Sequence, residues 1–293
     1  MNTVCIYHGN CWDGLGAAWA FNRALSLDTI DGATPEKTLY VPASYGDVPP
    51  TLTKSNVYIL DFSYPRDILI EMAEQANHIT VIDHHATAER NLVDLPDNVT
   101  TVFDKSHSGT VLAWKHFMPT AAPVPQILLH IEDRDLWKFN LPDTRPLTEV
   151  LRSEPLAFKT LDKFYPIPQY KLQSSINLGY DLIRVRDKQI ADLIDSSMRH
   201  TVFRGYGVPI LNCPPHLTSD TGNTLLARDT DIPFVILYHD GKDHRHYSLR
   251  STDTGVDVSK IAENYGGGGH HNASGFTQPL QDTLMYPSYN LHR

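Results

Sequence analysis

Three short apolar runs early in the chain, at residues 4–7, 56–60 and 78–82, each stop on side chains that bind metals. The first is followed by His8 and then Asp13, the second by Asp61, the third by Asp83, His84 and His85. The runs are rich in Val, Ile and Tyr and carry almost no charge, which is the pattern of strands covered on both faces. Sheets of that kind are parallel, with helices on either side. Helical stretches follow the first two runs, at residues 15–27 and 65–75, and in the former Gly16, Ala17 and Ala18 permit close packing on a sheet. Successive βα units of one hand bring their strand ends to a common edge, and open sheets gather ligands there. His8, Asp13, Asp61, Asp83, His84 and His85 are therefore expected together.

Further along, residues 99–103 read as a short strand and 106–117 as a helix starting at Ser108 or Gly109. After a proline-rich break at 119–125, the apolar residues 126–131 run into Glu132-Asp133-Arg134-Asp135, a fourth acidic position on the same edge. Between 170 and 198, Leu172, Ile176, Leu182, Ile183, Ile190, Leu193 and Ile194 recur at helical spacings, the mark of a long helix joining two domains. Beyond it come strands at 202–212, 234–238 and 246–250, helices at 219–227 and 256–265, and a glycine run before His270. The expected fold class is α/β in two domains. A mainly parallel sheet with flanking helices occupies 1–169, a connecting helix 170–198, a smaller α/β domain with a Gly-Gly-Gly-His loop 199–280, and a loose tail 281–293.

A chain of 293 residues is long enough for two separate cores. Its net charge of −9 leaves no broad basic field for a long nucleic-acid backbone, so an anionic substrate would be small and held by local cations. Cys5, Cys11 and Cys213 contain no Cys-x-x-Cys pair, which fits neither a disulfide framework nor a zinc ribbon and points to a reducing, cytoplasmic setting. Neither a secretion signal nor an apolar run of membrane-spanning length is expected.

His8, Asp13, Asp61, Asp83, His84, His85 and Asp133 supply mixed oxygen and nitrogen donors, which suit Mn²⁺ or a similar ion better than structural zinc. A carboxylate shared by two ions holds them about 3.5–4 Å apart, an arrangement suited to phosphoryl transfer. In the second domain, the glycine backbone at Gly267, Gly268 and Gly269 could approach a phosphate, and Arg250 could pair with it through two hydrogen bonds. His244 and His246 read as solvated turn residues, and Trp12, Trp19, Trp114 and Trp137 as mostly core.

The ordered set His8-x-x-Cys11-x-Asp13-Gly14, Asp61-x-Ser63, Asp83-His84-His85, Asp133 and Gly266-Gly-Gly-Gly-His270 resembles the DHH phosphoesterase superfamily with its DHH-associated C-terminal domain, over residues 4 to about 276. The glycine loop and Arg250 look like its nano-RNase and single-strand exonuclease branches rather than its pyrophosphatases. The resemblance implies one metal position built from Asp13, Asp61, His84 and Asp133, with Asp133 fitting the family position better than Asp135. It implies a second built from His8, the shared Asp61 and the first acid of an Asp-x-Asp pair. That acid is Cys11 here, a departure from the family. One firm Mn²⁺ site is expected, with a second that is weaker or takes another ion, and Mg²⁺ or Co²⁺ are alternatives. His85 would face the substrate phosphate, Asp83 would orient the histidines, and Arg250, His270 and the glycine backbone would bind substrate.

The activity so implied is hydrolysis of a short single-stranded oligonucleotide or dinucleotide by in-line attack of metal-bound water. A phosphomonoesterase acting on a nucleotide bisphosphate, and a nucleotide-binding protein that has lost catalysis through Cys11, are the alternatives. Nothing in the sequence decides the oligomeric state, and a homodimer is among the states it allows.

Overall fold

The computed structural model describes residues 2–30 and 32–280, and the tail expected at 281–293 lies outside the described residues. Between Val185 and Arg186 the chain divides into two compact units.

In the first unit, β1 (Asn2–His8), α1 (Trp12–Ser26), β2 (Thr38–Ala43), β3 (Ser55–Leu60), α2 (Arg66–Gln75), β4 (His78–Asp83), α3 (Ala86–Asn91) and β5 (Val99–Phe103) follow one another along the chain. They are followed by α4 (Gly109–Phe117), α5 (Gln126–Asp135), α6 (Thr144–Ser153) and α7 (Phe158–Asp162). The five strands form one sheet of order β2-β1-β3-β4-β5, and every neighbouring pair is parallel. Side chains alternate across it. Val4, Ile6, Val57, Ile59, Ile79 and Val81 pack on one face with Leu69 and Met72 of α2. Cys5, Leu60 and Ile82 pack on the other with Leu15, Trp19 and Phe21 of α1 and Leu112 and Trp114 of α4. Burial on both faces is the physical reason the strands read as unbroken apolar runs.

Register then sets the edge. Tyr7 pairs with Leu60 and Leu60 with Ile82, so one step further His8, Asp61 and Asp83 come side by side. The strand order reverses between β1 and β3, which makes this the crevice where open α/β sheets bind ligands.

The division of the chain falls within α8 (Gln169–Ser197). The second unit holds β6 (Arg199–Phe203), β7 (Tyr206–Asn212), α9 (Thr218–Arg228), β8 (Val235–Asp240), β9 (His244–Arg250), α10 (Val258–Glu263), β10 (Gly268–Gly269) and β11 (Ala273–Pro279). Its sheet has the order β10-β11-β9-β8-β7-β6, antiparallel except where α9 connects the parallel pair β7 and β8. Ile190 and Ile194 of α8 pack with Leu211, Leu225, Val235 and Leu237 on one face, and α10 covers Ile236, Leu249 and Phe276 on the other.

Three expectations are corrected here. Residues 126–135 are the helix α5, so the fourth acidic group comes from a helix rather than a strand end. The run 202–212 is broken into the hairpin β6–β7, because Arg204 (φ 54°) and Gly205 (φ 84°) take left-handed conformations that turn the chain. His244 and His246 lie on β9, where the His246 ring stacks on that of His239 at 4.7 Å. Among the described residues, no helix is long and apolar enough to cross a membrane.

Candidate metal centre

Four elements of the first unit deliver side chains to the edge of the parallel sheet. His8 closes β1, Asp61 follows β3, Asp83 closes β4 with His84 and His85 after it, and Asp13 lies in the first turn of α1 with Cys11 as that helix's N-cap. Two glycines allow them to converge. A Cβ on Gly14 would stand 2.2 Å from the His8 carbonyl oxygen, so α1 can start over the end of β1 only because none is there. A Cβ on Gly109 would stand 2.4 Å from the Cβ of Asp61. Asp61 itself adopts φ 57°, a left-handed conformation that aspartate tolerates better than most residues. Gly109→Ala is expected to push Asp61 aside, costing about 1–3 kcal/mol in thermal unfolding and weakening Mn²⁺ binding. Unchanged stability and metal affinity in that variant would show that the close approach is unimportant.

The two oxygens of Asp61 face different partners. Oδ2 lies 3.5 Å from His8 Nδ1, and Oδ1 lies 3.1 Å from His84 Nε2. His84 Nε2 is also 3.5 Å from Asp135 Oδ2 and 3.8 Å from Asp13 Oδ2. Potential ligand atoms within 4.8 Å of one another accordingly form the groups His8, Cys11, Asp61 and Asp13, His84, Asp135, with Asp61, Asp83, His84 and His85 as a further set. Asp83 acts mainly through its neighbours. Its Oδ1 accepts the His84 and His85 backbone N–H groups at 2.7 and 3.2 Å and lies 2.7 Å from His85 Nδ1, which fixes the direction of the His85 ring.

Asp13 is held from the start of α4, a contact the sequence alone did not disclose. Ser108 Oγ (2.6 Å) and Thr110 N (3.0 Å) donate to its Oδ1, and Gly109 N (2.7 Å) donates to its Oδ2. The carboxylate therefore caps the positive end of a helix 95 residues away in sequence. The only hint was the start of a helix near Ser108 and Gly109.

Crowding of acids and imidazoles sets the charge state. Burial alone would raise Asp61, but the adjacent His8 and His84 imidazoles outweigh it and hold the carboxyl well below the usual range. Burial opposes charge on His84 as well, yet Asp61, Asp135 and Asp13 push its pKa up to about 10. Asp13 is raised by burial and by the charges of Asp61 and Asp135. A divalent cation relieves this crowding, and Asp61 Oδ1 and Asp83 Oδ2 are buried oxygens with no aligned hydrogen-bond donor. The residues present thus fit divalent ions. Because His84 is protonated near neutrality and must lose that proton to bind, Mn²⁺ affinity is expected to rise with pH from 6 to 9, with proton release. Calorimetry in two buffers of different ionisation enthalpy checks this, and equal apparent enthalpies would refute it.

Of the expected ligands, Asp133 is not in the cluster. Its carboxylate is turned into the chain that follows α5, where Asn140 N (2.8 Å), Leu141 N (3.0 Å) and Thr144 Oγ1 (2.6 Å) donate to it. Asp135 takes the place assigned to it. On a strand the two acids would share a face, but two residues apart on a helix they diverge by about 200°. In the second unit, the Arg250 guanidinium donates to the Leu249 carbonyl (2.8 Å) and Ser219 Oγ (3.0 Å) rather than to a carboxylate. Burial pushes its pKa down to about 10, so it remains charged at neutral pH. The glycine run has a packing reason: a Cβ on Gly267 would stand 2.0 Å from the Gly275 carbonyl oxygen, and Gly269 sits at φ 138°. Gly267 N and His270 N donate to Ala262 O and Ala273 O, so these amides are committed within the protein. Trp19 and Trp114 are buried and stacked on each other, as core residues.

No family model matches the chain. An uncharacterized protein, R106, of Acanthamoeba polyphaga mimivirus is 31% identical over 288 residues, covering 93% of this chain and 66% of the relative. The chain thus spans just under two thirds of that relative's length. Among solved structures, the DHH domain of a protein assigned to a family of ribosomal proteins matches with a TM-score of 0.60 at 12% identity, over 95% of this chain and 83% of that one. The chain has the fold of the DHH phosphoesterase superfamily. A second DHH-fold match is RecJ from Thermus thermophilus, in complex with Mn²⁺, with a TM-score of 0.55 at 15% identity over 96% of this chain and 50% of that one. On the DHH fold of this chain, Asp83-His84-His85 is the triplet at the end of β4, level with His8 and Asp61.

Proposed function

We propose that the protein is a metal-dependent phosphodiesterase that hydrolyses short oligonucleotides or dinucleotides. The observation that carries this reading is the position of Asp61, whose two oxygens face His8 on one side and His84 on the other. Asp13, His84 and Asp135, with Asp61 beside them, would hold one ion, and His8, Cys11 and the shared Asp61 a second. Divalent ions at these positions supply Lewis acidity toward a phosphoryl oxygen and make water nucleophilic near neutral pH. The similar RecJ fold was solved in complex with Mn²⁺, in keeping with that ion as one occupant here.

The protein's own groups have separate tasks. His85, held through Nδ1 by Asp83, presents its other ring nitrogen to the substrate and can donate a proton there. Asp83 orients the His85 ring and holds the backbone of both histidines, and although burial raises its carboxyl, the charge of His85 leaves it below its ordinary value. Asp13, anchored to α4, keeps its position while the imidazoles lose protons. In the second unit, the side chains of Arg250 and His270 are assigned to phosphates of the substrate. Arg250 is suited to this because its hydrogen bonds go to neutral groups while the nearby Asp220 favours its charged form.

The reading is tested with a Mn²⁺-dependent assay on a dinucleotide, a five-nucleotide RNA, a cyclic dinucleotide and a nucleoside 3′,5′-bisphosphate. Cleavage of the first two is the expected result. Turnover of the bisphosphate alone would identify a monoesterase. Turnover of none, with metal bound, would identify a binding protein.

A further inference from the structure

The acid positions of the centre are not chemically equivalent. One group contains only carboxylates and an imidazole, whereas the other brings a sulfur, an imidazole nitrogen and a carboxylate oxygen within 4.8 Å of one another, from Cys11, His8 and Asp61. We propose that the His8, Cys11, Asp61 position is a thiolate site for a borderline ion such as Co²⁺ or Zn²⁺, while Asp13, His84 and Asp135 take a harder ion such as Mn²⁺. The inference rests on the reading of this edge as a metal centre and adds to it the identity of the second ion.

Cys11 is a poor N-cap. It occupies the N-cap of α1 with extended backbone (φ −129°, ψ 138°), a place where Ser, Thr, Asp or Asn normally accept a hydrogen bond from the first turn. Its sulfur makes no well-aligned cap bond, with the Gly14 N–H the backbone donor directed toward it. It is also not a core thiol: Cys5 and Cys213 are fully buried, and Cys213 Sγ lies among Thr218, Thr221 and Pro214, whereas Cys11 is half-buried. Its neighbours are instead His8 and Asp61, on two adjacent strand ends. Asp61 is nine-tenths or more buried, and the oxygen it turns to this side, Oδ2, stands 3.5 Å from His8 Nδ1. Soft thiolate raises affinity for Co²⁺ and Zn²⁺ far more than for Mn²⁺ or Mg²⁺, which prefer oxygen. On binding, the Cys11 S–H bond breaks, the proton leaves to solvent, and a sulfur–metal bond forms without any change in oxidation state. Because Asp61 turns one oxygen to each side, it can face both ions.

The test is a Co²⁺ titration of the full-length metal-free protein, followed by absorption spectroscopy, beside Cys11→Ser and Cys213→Ser. The wild type and Cys213→Ser are expected to show visible d–d bands together with a near-ultraviolet thiolate-to-Co²⁺ charge-transfer band. Cys11→Ser is expected to keep visible bands from the other position, lose the charge-transfer band, and bind the second Co²⁺ at least about 10-fold more weakly. Cys11→Asp serves as a second variant, expected to lose the charge-transfer band while its Mn²⁺ affinity at that position rises about 10-fold. Visible bands without a charge-transfer band in the wild type would overturn the thiolate site and leave the metal centre standing. Absence of any Co²⁺ spectrum and of Mn²⁺ binding would overturn both.

Discussion

His84→Ala and Asp61→Asn are each expected to lower hydrolysis of a short oligonucleotide by about three orders of magnitude while the protein stays folded. The reason is positional. His84 Nε2 stands 3.1 Å from Asp61, 3.5 Å from Asp135 and 3.8 Å from Asp13, so removal of one imidazole takes a donor from the middle of the ion-binding groups. Asp61 is the carboxylate that faces both sides, and an amide in its place keeps the shape but loses the charge that draws two cations together. Neither change touches the packed faces of the sheet, where Val4, Ile6, Val57, Ile59 and Val81 lie, so circular dichroism of both variants should match the wild type. Turnover within tenfold of wild type in either folded variant would remove the basis of the metal assignment.

The second large effect separates two acids of one helix. Asp133→Ala is expected to cost on the order of 3 kcal/mol, a fall of about 10 °C in Tm, because three donors from Asn140, Leu141 and Thr144 would lose a buried charged acceptor. Asp135→Asn is expected to leave the metal-free Tm within about 2 °C, since its side chain is 28% exposed and its role is toward His84. The functional effects should be reversed, with Mn²⁺ affinity falling at least about 10-fold in Asp135→Asn. Thermal unfolding and Mn²⁺ titration of both variants decide it. Loss of metal binding in Asp133→Ala with normal stability would restore Asp133 as the ligand.

The expectation for Asp133 also shows where the sequence stops being legible. Strand ends were readable because burial on both faces forces continuous apolar runs, and parallel register then carries His8, Asp61 and Asp83 to one level with no further information. The acids of α5 obey a different period. Taken as a continuation of the sheet edge, Glu132-Asp133-Arg134-Asp135 offers no way to choose, while helical spacing places Asp135 four residues after the core residue Ile131. The anchoring of Asp13 by Ser108, Gly109 and Thr110 depends on a contact between helices distant in sequence, which no local pattern encodes. In the second unit, Gly267 and Gly269 looked like a phosphate cradle from composition. Their tight approach to Gly275 and Ala273 gives glycine there a packing reason independent of any ligand.

The most direct measurement is a Mn²⁺ titration of the metal-free protein, with free Mn²⁺ followed by electron paramagnetic resonance, wild type beside His84→Ala. One tight Mn²⁺ site and a second much weaker one in the wild type, with the tight site lost in the variant, is the result predicted by a carboxylate and imidazole position beside a thiol-containing one. Two equally tight Mn²⁺ sites, or binding unchanged by the loss of His84, would contradict it.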